Sequence, residues 1–402
     1  MMQERNTPYD LLLKGGHVID SANSINEPMD VAIQGNRIAC VAKEVPAEET
    51  KKVVDVSGLY VTPGLIDIHV HILPVFEGSI TWDLTAVRSG VTTVVDAGSS
   101  GWKNFEKVKA SVIDKSKIRV LALLNIAGCG MCPDEQRLAE MDAVAAAEMV
   151  ARYPDIIVGL KSAHYSGAGF EPIDHAVHAG RLSRTPVMVD FWVKATATYE
   201  DLLLKYLRPG DIHTHFYARQ FPLLGDDGKV TDYIWKARER GVIFDVGHGG
   251  GSFWFRRAVP AIKQGFIPDS ISTDQHAASL LLPDAIMPTV MSKFLNMGMT
   301  LEEVIKRSTV NPAREIQRPE LGTLSVGACA DVAVLERREG EFGFVDCGRA
   351  RMRGEYRLEC QMTIRNGEIL WDVNGISRPD WESSGDYDII DGKPLPRHDW
   401  PA

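Results

Sequence analysis

Two histidines one residue apart, His69 and His71, close the apolar stretch Val61-Thr62-Pro63-Gly64-Leu65-Ile66-Asp67-Ile68-His69-Val70-His71. In a β-strand, side chains at i and i+2 share a face, so the two imidazoles project together. Two neutral imidazoles on one face can grip a divalent ion. A buried strand with two satisfied histidines would carry the same residues. Pro63-Gly64 marks a turn just before them, so the strand starts abruptly. Which reading holds depends on what else reaches the same place.

The totals narrow the setting. The chain has 402 residues, enough for one large domain and a smaller one. Its net charge of -10 and the lack of a basic run exclude an electrostatic nucleic-acid binder. The first ten residues are polar and lack the apolar core of a signal peptide. No apolar run is long enough to span a bilayer. Six scattered cysteines (Cys40, Cys129, Cys132, Cys329, Cys347, Cys360) fit reduced thiols in a cytoplasmic protein. Cys129 and Cys132 have Cys-x-x-Cys spacing in Gly128-Cys129-Gly130-Met131-Cys132-Pro133. With no second pair to complete a zinc site, they read as part of a Gly-rich loop.

The elements that must position the histidines follow from the hydrophobic rhythm. Residues 9–60 read as short strands and turns, a small antiparallel sheet. Its hairpin turns at Gly35-Asn36. After His71, apolar runs at 91–96, 118–125, 156–161, 186–190, 211–215, 242–246 and 270–274 alternate with helical stretches. The helices are predicted at 81–88, 134–153, 199–207, 233–240 and 253–264. With the opening strand this makes eight βα units, the pattern of a (β/α)8 TIM-type barrel at 61–320. An open doubly wound sheet is the rival, but no Gly-rich phosphate loop follows the first strand. Residues 300–313 read largely as helix, with Thr300 as N-cap. β pattern returns after Gly322. Residues 1–60 and 321–402 are expected to form a composite β-sandwich domain, with 373–402 as an extended tail carrying Trp381 and Trp400.

In such a barrel the active site lies at the C-terminal ends of the strands. The first strand ends in His69 and His71, the fourth in Lys161, the fifth in Asp190 and the sixth in His213-Thr214-His215. His248 follows the seventh, in Gly247-His248-Gly249-Gly250-Gly251. The eighth ends in Asp274, with His276 just beyond. So many ligand-type residues at one rim point to a metal site.

These residues make the chain resemble the amidohydrolase superfamily of metal-dependent hydrolases. The stretch ending His69-Val70-His71 is close to that family's entry motif. Gly322-x-Leu324-x-x-Gly327-x-x-Ala330-Asp331 resembles its exit motif, and Thr309-Val310-Asn311-Pro312-Ala313 fits the helix before it. Val158-Gly159-Leu160-Lys161, Asp245-Val246-Gly247-His248-Gly249 and Ser272-Thr273-Asp274 look most like the dihydroorotase-like amidohydrolase/deacetylase branch.

The resemblance implies roles. His69, His71 and Asp274 would hold one divalent ion, with zinc the expected metal. His215 would hold a second, and Lys161 would bridge the two as a carbamate formed with carbon dioxide. An ordinary lysine, with a pKa of about 10.4, is protonated near neutrality and cannot ligate. A carbamylated one is an anion with two oxygens, able to span ions about 3.5–4 Å apart. One departure matters. The family usually has a His at the end of the fifth strand, where this chain has Asp190. Asp190 could ligate directly or orient a ligand, or the second site could be weak or empty. His213 is a further candidate to replace the missing imidazole.

The implied mechanism follows from charge. Metal lowers the pKa of bound water to about 7, giving hydroxide at neutral pH. Asp274 would take the proton and pass it to the leaving group. His248 and Gly249 would line the substrate pocket, and His276, Tyr165 and Arg219 are further candidates for substrate contact. The leading function is hydrolysis of an amide or ester bond in a small acylated substrate, deacetylase- or esterase-like. The alternatives are a cyclic amidase of the dihydroorotase or hydantoinase type, then a deaminase, and, as a non-enzyme, a catalytically dead scaffold. The expected partner is a small molecule, with no nucleic acid and no membrane. Family precedent suggests a homo-oligomer.

Overall fold

The computed structural model describes residues 7–75, 79–80, 83–190, 198–281 and 283–384. The start of the predicted 81–88 helix and the tail beyond 384, with Trp400, lie outside these.

Fifteen strands fall into two sheets among the described residues. The first sheet draws on both ends of the chain. It contains β1 (Leu11–Asp20), β2 (Ile25–Gln34), β3 (Arg37–Ala42), β4 (Val53–Asp55) and β5 (Tyr60–Pro63). The others, described below as β13–β15, are Val332–Val345, Arg351–Arg365 and Glu368–Asp372. Their order is β15-β14-β13-β5-β1-β2-β3, with β4 attached to β1. Instead of two facing sheets, the terminal segments make one connected sheet. The expected antiparallel pattern is also corrected. β1 pairs antiparallel with β2 but parallel with β4 and β5. The predicted hairpin forms, with Ala32 opposite Cys40 and Gln34 opposite Arg37. Leu11, Leu13, Val18, Val31, Ile33, Val332, Val334 and Met362 give this sheet its own apolar cluster. Burying each large aliphatic side chain stabilises by about 1.5–3 kcal/mol.

The second sheet is parallel and seven-stranded, in simple sequence order. Its strands are β6 (Leu65–Val70), β7 (Val91–Gly101), β8 (Arg119–Asn125), β9 (Ile157–Ser162), β10 (Val187–Val189), β11 (Ile212–His213) and β12 (Ile243–Phe244). Five are buried throughout, β8 everywhere but at Arg119, and β12 in half, as parallel strands covered by helices must be. The predicted eighth strand makes no extended ladder. Parallel bridges nonetheless join Asp245 to Ser270 and Val70 to Gln275, so 270–275 touches both edges of the sheet.

Helices cover the outside. Ala143–Arg152 starts later than predicted because Asp142 caps it. The Asp142 carboxylate accepts from the N–H groups of Val144 and Ala145. Pro133–Gln136 and Leu138–Glu140 before it are single 3-10 turns. Glu171–Ser183 and Met287–Asn296 were not anticipated. Thr300 caps Leu301–Lys306 as expected, its hydroxyl accepting from Glu303 N–H.

The reduced-thiol expectation fails at one place. Cys129 and Cys132 form a disulfide, because the loop with Gly128 and Gly130 turns tightly enough to bring their Cα atoms to 5.9 Å. Cys40, Cys329, Cys347 and Cys360 are free. Among the described residues, no helix is long and apolar enough to cross a membrane.

Candidate active site

The strand-end residues converge. His69, His71 and Asp274 present ligand atoms that all lie within 4.8 Å of one another. Asp274 Oδ1 is 3.1 Å from His71 Nε2 and 3.5 Å from His69 Nε2. Lys161 Nζ lies 3.2 Å from His69 Nε2 and 3.6 Å from Met188 Sδ, at 1% exposure. His215 Nε2 is 3.5 Å from Asp190 Oδ2 and 4.0 Å from Asp274 Oδ2. These residues line one cavity of about 90 Å³ together with His276, His164 and Met131.

The backbone aims each group. Asp67, fully buried on β6, accepts from Thr273 N–H at 3.0 Å and Thr273 Oγ1 at 2.5 Å, tying the first strand to the segment that carries Asp274. Burial raises the Asp67 carboxyl to about 7. Asp96 on β7 accepts from the N–H groups of Ile72, Leu73 and Ser99, fixing the chain just beyond His71. His215 and Asp274 have φ of +63° and +47°. Left-handed backbone is uncommon outside glycine and is concentrated at functional sites. Two glycines make room by lacking a side chain. A Cβ on Gly98 would stand 2.6 Å from Lys161 Cγ, and one on Gly249 would stand 2.2 Å from Asp274 Oδ2.

The imidazoles share a pattern. The Thr214 hydroxyl donates to Asp245 Oδ2 at 2.8 Å, so its oxygen must accept from His69 Nδ1–H at 2.9 Å. His215 Nδ1 donates to the Gly247 carbonyl at 2.6 Å. His71 Nδ1 meets Ser99 Oγ at 3.2 Å. With Nδ1 engaged, Nε2 of each ring faces the cavity, where a bound ion would take its lone pair, displacing at His215 the proton that Asp190 favours there. Asp245, fully buried, also accepts from Ser270 and Ser272 hydroxyls.

The donor set fits a divalent ion. Ligands about 2.0–2.1 Å from a tetrahedral ion lie roughly 3.3 Å from each other. The Asp274–His71 and Asp274–His69 separations bracket that value. Burial, then the neighbouring Lys161, holds His69 well below the usual imidazole range and therefore neutral, as ligation requires. Burial also lowers Lys161, although Asp190 and Asp274 oppose the shift. Burial would raise Asp190, yet the charge of His215 outweighs it and holds the carboxylate ionised. For His215, burial works against charge, but Asp190 prevails and lifts it to about 9.

Three expected residues, His248, Arg219 and His213, lie elsewhere, while Tyr165, Gly249 and His276 border the site. His248 is 0% exposed and turned from the cavity. It stacks on Phe253 with ring centroids 4.5 Å apart, and its Nε2 is 2.8 Å from Lys293 Nζ. Arg219 is exposed, and its carbonyl accepts from Arg257. His213 does not share a face with His215, because the strand ends at residue 213. Its ring packs among Phe221, Phe244 and Tyr199, with neither nitrogen hydrogen-bonded among the described residues. It is thus no substitute ligand. Tyr165 borders a small adjoining void with Asp190. Gly249 approaches Asp274, and His276 Nδ1 lies 3.1 Å from the Asp274 carbonyl.

Sequence reasoning missed His164, three residues after Lys161, and Glu135 behind it. His164 Nε2 is 3.5 Å from Asp190 Oδ2. Extending the survey of strand ends by one turn would have found His164. Glu135 comes from the loop after β8 and left no signal.

A deacetylase of Agrobacterium fabrum is 32% identical over 356 residues, covering 85% of this chain and 86% of that protein. A deacetylase of Enterococcus faecalis is 29% identical over 376 residues, covering 90% and 99%. The crystal structure of an adenine deaminase matches with a TM-score of 0.84 and 29% identity over 90% of this chain and all of that one. A dihydroorotase structure gives 0.78 and 30%, over 90% and 99%. No protein-family model matches the chain. Both the relatives and the shared TIM-barrel architecture lead to one conclusion: the chain belongs to the amidohydrolase superfamily, in its dihydroorotase-like branch, and is a metal-dependent hydrolase.

Proposed function

We propose that the chain hydrolyses the acyl bond of a small N- or O-acylated substrate, releasing the acid. The observation that carries this is the meeting of His69, His71 and Asp274 within 4.8 Å beside a buried lysine. The deacetylases among its relatives set the bond class.

His69, His71 and Asp274 would hold one ion, and His215 with Asp190 the other, zinc being the expected metal. Such ions supply a polarising charge for the substrate carbonyl and an acidified water. The chain's own residues do the rest. Burial favours the neutral amine of Lys161, the form that adds carbon dioxide. That addition gives an anionic carbamate with two ligating oxygens and releases one proton. Burial would raise Asp274, but the His71 contact and the charge of His215 outweigh it, leaving an ionised carboxylate at neutral pH. Asp274 takes the proton from the attacking water and returns it to the leaving amine or alkoxide. His276, beside Asp274 at the cavity wall, and Tyr165, beside Asp190, are placed to meet the rest of the substrate. The reading assigns the chemistry to 61–320 and treats 1–60 with 321–402 as a composite β domain around its own apolar cluster.

A second reading is deamination, favoured by the adenine deaminase structure. Incubating metal-loaded protein with acetylated small acids and with purine bases separates the two. Acetate release supports the first reading, and ammonia release from the bases replaces it with the second.

A further inference from the structure

The end of the fifth strand carries a carboxylate, Asp190, so the second metal position is short of an imidazole. We propose that His164 supplies it, as a third ligand beside Asp190 and His215, held in place by Glu135. This rests on the metal-dependent reading above.

Three observations carry the assignment. The first is spacing. Asp190 Oδ2 is 3.5 Å from His164 Nε2 and 3.5 Å from His215 Nε2. Each separation is close to the roughly 3.3 Å between ligands on one tetrahedral ion. Each equals the 3.5 Å from Asp274 to His69 in the first cluster. The two imidazoles themselves lie farther apart than the 4.8 Å spanned by the first cluster, so the partly exposed His164 ring must swing toward His215 to share the ion. The second is orientation. Glu135 is 6% exposed, and its Oε1 accepts from Asn125 Nδ2 at 2.8 Å. Its Oε2 lies 3.4 Å from His164 Nδ1. A carboxylate only accepts, so Nδ1 carries a proton, and Nε2, turned to the cavity beside Asp190, is the atom that an ion would meet in place of a proton. This carboxylate–imidazole arrangement orients metal-binding histidines. His164 thereby joins His69, His71 and His215 as a ring tied at Nδ1 with Nε2 turned to the cavity. The third is backbone. His164 has φ +58°, in the left-handed region. With its side chain 43% exposed, packing alone does not hold it there. Strain at such a position is characteristic of functional residues.

Sequence order explains how this can happen. Lys161 and His164 leave the same strand, β9, next to β10, which ends just before Asp190. An imidazole lost from the end of one strand is replaced from the turn after its neighbour.

The test is metal content per chain after chelation and reloading with zinc and bicarbonate, with the visible spectrum of the cobalt-loaded protein as a second readout. Wild-type protein should take up two ions and His164→Ala one, with an altered cobalt spectrum and unchanged folding by circular dichroism. Glu135→Gln should still reach two, with affinity for the second lowered about 10–100-fold. Adding Asp190→His to His164→Ala should restore the second ion. His178→Ala, an exposed helical histidine, should behave as wild type. If His164→Ala keeps every ion the wild type holds, at the same affinity, the assignment is overturned while the hydrolase reading stands. A change confined to KM in that variant would make His164 a substrate contact and overturn it equally. A wild-type chain that takes up no metal overturns the hydrolase reading itself, and the assignment with it.

Discussion

Replacing Gly249 by alanine should damage catalysis far more than folding. Gly249 has φ +51°, and its N–H donates to the Thr273 carbonyl at 2.8 Å. A Cβ there would stand 2.2 Å from Asp274 Oδ2 and 3.2 Å from Cγ. Ordinary van der Waals contact is well over 3 Å, so the carboxylate must retreat by roughly 1 Å. Oδ2 is the tip of a side chain and can move without disturbing the core. The folding cost is then mainly that of an alanine in left-handed backbone, about 1–2 kcal/mol. The catalytic cost is larger. Misplacing a reacting group by about 1 Å loses on the order of 100-fold, equivalent to about 2.7 kcal/mol of transition-state stabilisation. The assay is kcat/KM for acetate release, beside thermal unfolding and metal content. A variant within threefold of wild type, folded and metal-loaded, would refute the claim that the position of the Asp274 carboxylate controls the rate.

Gly98→Ala should be worse on both counts. The new Cβ would meet Lys161 Cγ at 2.6 Å and Cβ at 2.7 Å, near the backbone, where the side chain cannot swing aside. Metal content and melting temperature should both fall, and unchanged values would count against the packing argument. Asp274→Asn should lower kcat by about 10²–10⁴-fold in metal-saturated protein, read by steady-state kinetics. Stability should also respond to alkali through Lys293, which burial pushes down to about 8. Between about pH 8 and 10.4 the unfolded chain binds more protons there than the native one, so the native state gains as pH rises, by about 3 kcal/mol in all. Urea titrations of wild type and Lys293→Met at pH 7.5, 9 and 10.5 should differ by that slope, and parallel profiles would remove the assignment.

Much of the scaffold was legible because parallel strands buried on both faces read as continuous apolar runs. Runs at 118–125, 156–161 and 186–190 became β8, β9 and β10 nearly as bounded. The eighth run reaches both sheet edges but only through single bridges, which periodicity does not report. The helix Glu171–Ser183 was hidden by Pro172 and Gly180, which look like breakers. Pro172 sits in the first turn, where its missing N–H costs nothing. At the site, strand-end logic located His69, His71, Lys161, Asp190, His215 and Asp274. It failed for His248, because after a strand ends its turn decides direction. Gly247 and Gly249 both have positive φ, and His248 between them turns into the core to meet Lys293. It passed over His164 for the same reason in reverse. A turn beyond Lys161 brings that ring back toward Asp190. The disulfide was illegible because Cys-x-x-Cys spacing allows a thiol pair, a ligand pair or a bond, and only the fold of the Gly128–Gly130 loop decides.

The central claim is hydrolysis that depends on metal held at this rim. The most direct measurement is acetate release from a panel of acetylated small acids, followed by NMR. It compares chelated protein, the same protein reloaded with zinc and bicarbonate, and Lys161→Ala treated identically. The account predicts release only from the reloaded wild type. Release that survives chelation, or that Lys161→Ala retains in full, would contradict it.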